Sequence, residues 1–512
     1  MQRAGVAIRM SMLDAAWAGL LGIMHWKAFL LMIVGIVISS TLVAMPGVGS
    51  KTAIALLLPF AFVLEKFEAV ALIVSIWAVS NTANSITAIM FSVPGGGGSQ
   101  ATIMDGYPMA QRGEAARALA AAFTASALGG VIGAIVLLAA IPVVRPLVLL
   151  MGAPEFFMLT MMGVVMVGSL SGNAPLKGIA VGALGLAISM MGIHSLSGVP
   201  RYTFNSIYLF DGIGLVPLTI GLFAIPELIF MASRGQGVSN VELGNLSEGR
   251  RQGIKDAFTH WWLVVRSAFV GVWVGIIPGL GSSVADWFAY GHARQTCKGA
   301  SETFGKGDVR GVIAVDAATN AKEGGALIPT LAFGIPGSST LALIFGGLLI
   351  VGIKPGREIL TTQLDVTFSI IWLLIIASII TTLLCLLFTR QLAMATMLRP
   401  SILVPVILGM AVLGSFANSN RIDDVVVMMG FGIVGYVLRA GGWPRPPLLL
   451  GVVLGPLAEN FLWTSFQVYG FGFLARPGAL TLMVVLVVIV AYPSLMRRWY
   501  ASRNSRDPKE VN

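Results

Sequence analysis

Two short motifs that combine proline, glycine and a hydroxyl residue interrupt strongly apolar sequence, and each motif occurs twice. Residues 43–50 read Val-Ala-Met-Pro-Gly-Val-Gly-Ser, and residues 275–282 read Gly-Ile-Ile-Pro-Gly-Leu-Gly-Ser. Residues 91–96 read Phe-Ser-Val-Pro-Gly-Gly, and residues 333–338 read Phe-Gly-Ile-Pro-Gly-Ser. Because proline lacks a backbone donor and glycine permits a turn, each motif is expected to break a membrane helix and free backbone groups. The freed amides and the hydroxyl suit a carboxylate, and the freed carbonyls suit a cation.

The order and spacing of these motifs indicate that the two halves of the chain are related. Pro46 and Pro278 lie 232 positions apart (278 − 46), and Pro94 and Pro336 lie 242 positions apart (336 − 94). In transporters built from inverted repeats, broken helices from both halves meet near the membrane midplane and face the substrate and its coupling ion. We therefore expect a first repeat at residues 1–232, a polar connector at 233–256, a second repeat at 257–496 and a charged tail at 497–512.

Polar side chains cluster between the paired motifs, at 80–87 in the first half and at 317–325 in the second. Amides and hydroxyls recognise an anionic oxygen without the cost of burying a full charge. Lys51 offers a positive group near a substrate, and Asp286 offers a carboxylate for a cation or proton. For each residue taken alone, a simple kink or a hydrogen bond between helices remains the alternative.

The candidate substrate-binding and ion-binding residues share these features: they lie in the Pro-Gly turns, in the adjoining hydroxyl residues or in the two polar clusters. They are Pro46, Gly47, Gly49, Ser50, Lys51, Asn81, Asn84, Ser85, Pro94, Gly95, Ser99, Pro278, Gly279, Gly281, Ser282, Ser283, Asp286, Thr319, Asn320, Pro336, Gly337, Ser338 and Ser339.

The composition requires lipid as the solvent for most of the chain. Of the 512 residues, 56% are hydrophobic and 11% are charged, which is more apolar surface than one soluble core buries. We predict an all-α polytopic membrane protein with about 10–13 membrane segments in two related halves, an inverted repeat with broken or re-entrant helices. The net charge of +10 is dispersed over short loops, which favours membrane orientation over nucleic-acid binding.

The sequence contains no motif for catalysis or for a resident cofactor. His25, His194, His260 and His292 make no metal-ligand spacing. Neither a Walker motif nor a Gly-x-Ser-x-Gly elbow occurs, so neither ATP nor hydrolysis is expected to drive this chain by itself. We predict no catalytic residue, and no cofactor beyond Na⁺ or H⁺ as the coupling ion, with Na⁺ held by backbone carbonyls of the Pro-Gly turns.

Six ordered segments carry a family resemblance. They are Met-Pro-Gly-Val-Gly at 45–49, Ala-Thr-Ile-Met-Asp-Gly-Tyr-Pro-Met-Ala at 101–110, the glycine-rich stretch 271–281, Phe-Gly-Lys-Gly at 304–307, Gly-Ile-Pro-Gly at 334–337 and Gly-Ile-Lys-Pro-Gly at 352–356. Together they resemble the large membrane subunit of the tripartite tricarboxylate transporter family. The resemblance implies a bacterial inner-membrane permease that imports carboxylates at the expense of an ion gradient. It also implies two partners, a small four-span membrane subunit and an extracytoplasmic solute-binding protein.

The sequence departs from the family pattern in two segments, and Lys51 and Asp286 stand where small or uncharged residues are expected. Residues 82–85 read Thr-Ala-Asn-Ser where the family has Tyr-Gly-Gly-Ser, and residues 315–320 read Val-Asp-Ala-Ala-Thr-Asn where it has Pro-Glu-x-Ala-Asn-Asn. Both places lie in the polar clusters, so the differences bear on the substrate more than on the fold. The carboxylate therefore stays open, and citrate is not assumed.

The leading hypothesis is alternating access, in which a unit that carries the motifs moves against a scaffold. A standalone ion-coupled carboxylate carrier is the alternative among transporters. A membrane-embedded enzyme that uses Ser, His and Asp, and a passive channel, are the alternatives from other classes. The enzyme lacks a nucleophile and base placed by a motif, and a channel gives no reason for matched sets of broken helices.

Overall fold

The computed structural model describes residues 11–44, 49–170, 175–194, 197–234, 246–278, 280–395 and 400–488. These residues are almost entirely helical, and the described strands are one antiparallel pair, β1 (Gly192–Ile193) and β2 (Pro200–Arg201). The helices before residue 235 are α1 Met12–Met24, α2 Trp26–Ala44, α3 Gly49–Leu57, α4 Lys66–Phe91, α5 Thr102–Gln111, α6 Ala115–Leu150, α7 Ala153–Leu170, α8 Pro175–Ser189, α9 Leu215–Thr219 and α10 Ile225–Arg234.

The helices after residue 245 are α11 Leu246–Thr259, α12 Trp261–Ile276, α13 Gly281–Thr296, α14 Ala300–Thr303, α15 Val309–Phe333, α16 Ser339–Ile350, α17 Leu364–Leu387, α18 Thr389–Ala395, α19 Pro400–Ser419, α20 Ile422–Ala440 and α21 Pro446–Tyr469. Short 3₁₀ turns lie at Leu58–Val63, Gly97–Ser99, Ile207–Asp211 and Gly470–Ala475, and a π-helical turn lies at Ile220–Ala224. The predicted all-α polytopic architecture is confirmed.

Five helical segments in the described part of the chain are long and apolar enough to cross a membrane. They are Trp26–Ala44, Lys66–Phe91, Ala115–Leu150, Leu364–Leu387 and Pro446–Ala475. A sixth arises if Glu248–Thr259 and Trp261–Ile276, bent by 71° at their junction, form one span. Full-length spans are thus fewer than the 10–13 segments expected, because seven further apolar helices among the described residues are only 10–17 residues long.

Two helices, α4 and α15, form the centre of the fold. Residues 68–90 of α4 are all buried, and so is nearly all of α15. Helix α15 packs between α6 and α12 through glycines, since a Cβ on Gly129 or on Gly271 would collide with the backbone carbonyl of Ala317 or Ala318. Small residues let membrane helices approach this closely. The polar centre of the molecule is therefore held by tight backbone contacts from both sides.

Helices α4 and α15 end in the same geometry. The residues after them, Ser92 and Gly334, both adopt the left-handed conformation, with φ of 56° and 69°. The next amide along donates back six residues in each case, from Val93 to Thr87 (3.4 Å) and from Ile335 to Pro329 (3.3 Å). This hydrogen-bond pattern ends a helix and directs the chain into the Pro-Gly turn. It accords with the predicted duplication, which remains a prediction.

The predicted polar connector is partly helical. Residues 235–245 and the charged tail 497–512 lie outside the described residues. Helix α11 begins at Leu246 and packs along α6, where a Cβ on Gly249 would be 3.0 Å from the Cβ of Ala116. Arg117 and Asp256 form an ion pair of 2.7 Å between the same two helices. The second part of the connector is therefore attached to the first half of the chain.

Candidate functional site

The side-chain amides of the two polar clusters join α4 to α15. Asn81 Nδ2 donates to the backbone carbonyl of Thr319 (3.2 Å) and to Glu323 Oε1 (2.7 Å). In the opposite direction, Asn320 Nδ2 donates to Thr82 Oγ1 (2.9 Å). All five residues are buried. The predicted candidates Asn81, Thr319 and Asn320 therefore lie at one crossing.

A buried ion pair lies at this crossing. Lys322 Nζ is 2.9 Å from Glu323 Oε1, and the two side chains are 1% and 7% exposed. Lys322 Nζ also donates to Ser282 Oγ (3.1 Å), at the start of α13. Glu323 Oε2 has no hydrogen-bond partner among the described residues. The centre thus contains a cation that is tied to both a carboxylate and a hydroxyl from another helix.

Lys322 and Glu323 were not among the predicted site residues, although they lie in the second polar cluster at 317–325. The lysine that was predicted, Lys51, interacts electrostatically with Arg445 and Glu227. Glu227 itself pairs with Arg439 (2.6 Å) and Arg445 (3.2 Å). Lys322 is therefore the lysine at the α4–α15 crossing. The sequence feature that could have identified it is a charged pair in a helix segment otherwise made of small residues.

Two Pro-Gly turns from opposite halves of the chain are in direct contact. A Cβ on Gly97 would be 2.6 Å from Ser283 Oγ, and a Cβ on Gly98 would be 2.9 Å from the Cβ of Ser282. Gly98 also faces Thr319, whose Cγ2 would be 3.1 Å from the same Cβ. The first-half turn that follows Pro94 thus packs on the start of α13 without room for a side chain.

Asn84 connects a third Pro-Gly turn to this group. Its Nδ2 donates to Ser50 Oγ (3.4 Å), and a Cβ on Gly95 would lie 2.8 Å from its Oδ1. Asn84 Oδ1 has no hydrogen-bond partner among the described residues. Pro46 and Gly47 lie outside the described residues, and Gly49 begins α3.

The Asp286 carboxylate binds two backbone amides that lie just before α5. Its Oδ2 accepts hydrogen bonds from the backbone N–H of Gln100 (2.7 Å) and of Ala101 (3.0 Å). Its Oδ1 is buried and has no hydrogen-bond partner in the described part of the chain. Two backbone amides that follow the Pro94 turn are thus bound by a carboxylate of the protein, as free N–H groups near a helix start favour a negative charge. Pro278 lies shortly before α13, and Gly281 is the first residue of that helix. Gly279 lies outside the described residues.

A second buried carboxylate, Asp316, lies close to Asp286. Asp316 accepts hydrogen bonds from the hydroxyls of Ser85 and of Thr102, the latter at 3.2 Å. Asp286 and Asp316 repel each other, and neither forms an ion pair with any Lys, Arg or His of the described residues. Two carboxylates with nearby hydroxyls are oxygen ligands of the kind that hard cations prefer. The predicted Ser85 donates a hydrogen bond to Asp316 of this pair. Among the described residues, Ser99 hydrogen-bonds only to Gly96, within its own turn.

The fourth Pro-Gly turn, 336–338, hydrogen-bonds to nearby residues of α15 and α16. The Gly337 N–H donates to Thr330 Oγ1 (3.1 Å), and Ser338 Oγ caps α16 by accepting from the Leu341 N–H (3.2 Å). A Cβ on Gly337 would be 2.7 Å from the Cβ of Ala326, and Pro336 is buried. Ser339 begins α16. None of these hydrogen bonds reaches the Lys322–Glu323 pair, so this turn contributes to the shape of the site and not to its free polar groups.

Asp105, which was not predicted as a site residue, fastens the loop before α15. Its Oδ1 accepts from the backbone N–H of Gly305, Gly307 and Asp308 (2.8, 2.9 and 2.9 Å). Its Oδ2 accepts from Tyr290 OH (3.0 Å). Asp105 is fully buried. This carboxylate therefore links α5 of the first half to the beginning of α15 in the second.

Asp308 caps the N-terminus of α15. Its carboxylate accepts from the backbone N–H of Arg310 (2.9 Å) and pairs with the guanidinium of the same residue (2.6 Å). Burial raises the pKa of Asp308, but hydrogen bonds from Arg310 and Thr303 outweigh burial and hold the pKa below its ordinary value. The cap is therefore ionised at neutral pH, and it fixes the first turn of the helix that carries the central charges.

These helices and their buried crossing define an all-α polytopic membrane protein whose chemistry lies in polar side chains and turns inside the core. The model of the tripartite tricarboxylate transporter TctA family matches residues 29–450, so the chain belongs to this family of transporters. The resemblance predicted from the sequence is confirmed.

The similar proteins are from Agrobacterium vitis. An uncharacterized 52.8 kDa protein of the TAR-I ttuC′ 3′ region is 29% identical over 480 residues, which cover 90% of this chain and 93% of that protein. An uncharacterized protein of the TAR-II ttuC′ 3′ region is 32% identical over 231 residues, covering 44% of this chain and 95% of that protein. No solved structure matches the chain.

Proposed function

We propose that the protein is the large permease subunit of a binding-protein-dependent secondary transporter. It imports small organic anions, tricarboxylates or other carboxylates, is coupled to an ion gradient and works by alternating access. Membership of the family supports the transport role. The observation that carries the proposal is the contact between the turn at Gly97 and Gly98 and the start of α13 at Ser282 and Ser283, beside the buried Lys322–Glu323 pair.

The anion-binding group is centred on Lys322. Its ammonium is bound to Ser282 Oγ and Glu323 Oε1, and Asn81 Nδ2 donates to the same Glu323 oxygen. An entering carboxylate replaces the Ser282 hydroxyl at the ammonium, and Ser282 and Ser283 donate to its second oxygen. A charge-assisted hydrogen bond to a buried ammonium supplies the affinity, and neutral donors allow release.

The charges of the centre support the coupling of anion transport to a cation. Three buried carboxylates, Asp286, Asp316 and Glu323, lie in this part of the molecule, and Lys322 is the described ammonium that pairs with one of them, Glu323. An additional anion in this low-dielectric centre is repelled until positive charge arrives. We place the coupling Na⁺ or H⁺ at Asp286 and Asp316, with the hydroxyls of Ser85 and Thr102 as neighbours. Cation binding there precedes anion binding and raises anion affinity.

The partners follow from the family, whose transporters are tripartite. A solute-binding protein outside the cytoplasmic membrane delivers the carboxylate, and a small four-span membrane subunit completes the complex in the bacterial inner membrane. The turn at Pro94 and Gly97 is exposed, whereas the turn at Pro336–Ser338 is buried. The first turn is therefore the one through which the centre is reached in this conformation.

Uptake in proteoliposomes tests the proposal. The chain is reconstituted with the small membrane subunit, and radiolabelled carboxylates are offered with their purified binding protein under an imposed Na⁺ or H⁺ gradient. We expect uptake that requires the binding protein and one of the two gradients. Uptake that persists after both gradients are collapsed contradicts the coupling, and full uptake without the binding protein identifies a standalone carrier.

A further inference from the structure

Helix α12 has two different faces. Its glycines face α15, since a Cβ on Gly271 or Gly275 would collide with the carbonyl oxygen of Ala318 or Lys322. Its other face is aromatic and exposed, with Trp262, Phe269 and Trp273 at 60%, 55% and 62% exposure. Because close helix packing in membranes uses small residues, the face suited to a neighbouring helix is already occupied. The bulky aromatic face is left for a partner that is more deformable than a helix.

The aromatic face borders a groove of about 590 Å³ between α12 and α13. The residues that matter for its chemistry are Trp262, Arg266, Phe269, Trp273, Phe288 and His292. Trp262, Arg266, Phe269 and Trp273 recur at the spacing of one helix face. The groove is therefore apolar along most of its length and cationic at one position.

The cationic end lacks an acidic partner. Arg266 donates from Nη2 to Cys297 Sγ (3.1 Å), but its Nε and the Nε2 of His292 have no hydrogen-bond partner within the described ranges. No carboxylate in the described part of the chain forms an ion pair with Arg266, His292 or Arg294. Arg294 lines an adjacent cavity together with Cys297. A positive group that faces lipid without an anion is costly, so this end is built for an external negative charge.

We propose that this groove binds an anionic phospholipid. The phosphate bonds to Arg266 and His292 with Arg294 at its margin, Trp262 lies on the headgroup side, and an acyl chain lies along Phe269, Trp273 and Phe288. Arg266 lies four residues beyond Trp262, which is about 6 Å along the helix at 1.5 Å per residue. Tryptophans mark the membrane interface, so Arg266 lies at the depth of lipid phosphates and upper acyl chains. This inference is independent of the transported substrate.

Lipid retention by the purified chain tests the inference. The full chain and the variant Arg266→Gln are compared by native mass spectrometry and by thermal unfolding in detergent, with phosphatidylglycerol, phosphatidylcholine or inorganic phosphate added. We expect the unchanged chain to retain phosphatidylglycerol and to gain thermal stability from it alone. Arg266→Gln should bind phosphatidylglycerol at least about tenfold more weakly, the effect of losing a charge-assisted hydrogen bond.

Two further variants complete the test. Trp273→Ala removes an exposed side chain, so the variant should fold. It leaves the cations in place but removes an acyl-chain contact, so it should bind phosphatidylglycerol less tightly than the unchanged chain does. Arg421→Gln, which removes an exposed guanidinium paired with Asp423, should bind it like the unchanged chain. Equal retention by all variants, equal stabilisation by phosphatidylcholine, or stabilisation by phosphate alone overturns the proposal. Displacement of the lipid by the small membrane subunit, with cross-linking at Trp273→Cys, would show a protein interface instead.

Discussion

Helices α4 and α15 share their burial and their ends but differ in charge. At the offset of 242 that relates the second Pro-Gly motifs, Asn81 corresponds to Glu323 and Ser80 corresponds to Lys322. Asn81 hydrogen-bonds to its own counterpart, as expected of residues beside a two-fold axis that relates two repeats. Helix α4 thus supplies neutral amides and hydroxyls, and α15 supplies the ions. Under the proposed function, the charges of α15 bind the ions and the neutral groups of α4 orient them.

The largest effect is expected from Lys322→Gln. Removing this ammonium leaves Glu323 buried without its ion partner, which costs about 3–5 kcal/mol of stability, and carboxylate uptake should fall to background. Thermal unfolding and uptake in proteoliposomes measure the two effects. Lys354→Gln, at an exposed lysine that pairs with Glu358, is the control and should change neither.

The double variant Lys322→Gln with Glu323→Gln separates stability from transport. It removes both charges, so stability should return toward that of the unchanged chain while uptake stays at background. Normal uptake by the double variant would mean that the charges of α15 serve packing alone, and that α4 and α15 are functionally alike.

The next effect is expected from Asp316→Asn. The substitution keeps the shape of the side chain and its neighbours Ser85 and Thr102, but it removes the negative charge to which the proposed coupling cation would bind. Uptake should fall by roughly tenfold or more, the effect of about 1.5–3 kcal/mol, and lose its dependence on the ion gradient. Asp365→Asn, at a carboxylate 3.9 Å from Lys66, is the matched control. Unaltered ion dependence in Asp316→Asn would remove Asp316 from the coupling site.

A smaller effect is expected from Gly98→Ala. The φ of Gly98 is −93°, so alanine fits the backbone, but its Cβ would meet the Cβ of Ser282 at 2.9 Å. Overpacking of this kind costs about 1–3 kcal/mol, and uptake should fall because the two turns are forced apart. Gly409→Ala, where a Cβ would meet nothing within 4 Å, should leave uptake unchanged. Full activity of Gly98→Ala would show that the contact is loose.

The smallest effect is expected from Ser92→Gly, which places after α4 the same residue type that follows α15. Ser92 adopts a left-handed φ of 56° that glycine accepts without strain, so the unfolding free energy should rise by about 0.5–1 kcal/mol after the entropy of glycine is subtracted. Gly334→Ser should lower the unfolding free energy by a similar amount. Thermal unfolding of both variants checks the pair, and a loss of stability in Ser92→Gly would contradict the shared geometry.

The helical architecture and much of the crossing were predictable, because hydropathy and Pro-Gly breaks are local properties of the sequence. The clusters around Asn81 and Thr319 were found for that reason. The partners were not predictable, because contacts such as Asp286 with the amides of Gln100 and Ala101 join residues 186 and 185 positions apart. The turn at 336–338 was misjudged for a local reason, since a Pro-Gly pair predicts freed donors but does not show that the Thr330 hydroxyl accepts from Gly337.

A disulfide between the two turns tests most directly whether they form one moving site. With Cys297 and Cys385 replaced by serine, Gly97→Cys and Ser283→Cys are combined; a Cβ on Gly97 would be 3.8 Å from the Cβ of Ser283, the separation found in disulfides. We expect oxidation to cross-link the pair in membranes and to stop carboxylate uptake, and reduction to restore it. Failure to cross-link, or full uptake by the cross-linked protein, would contradict a site that opens between these turns.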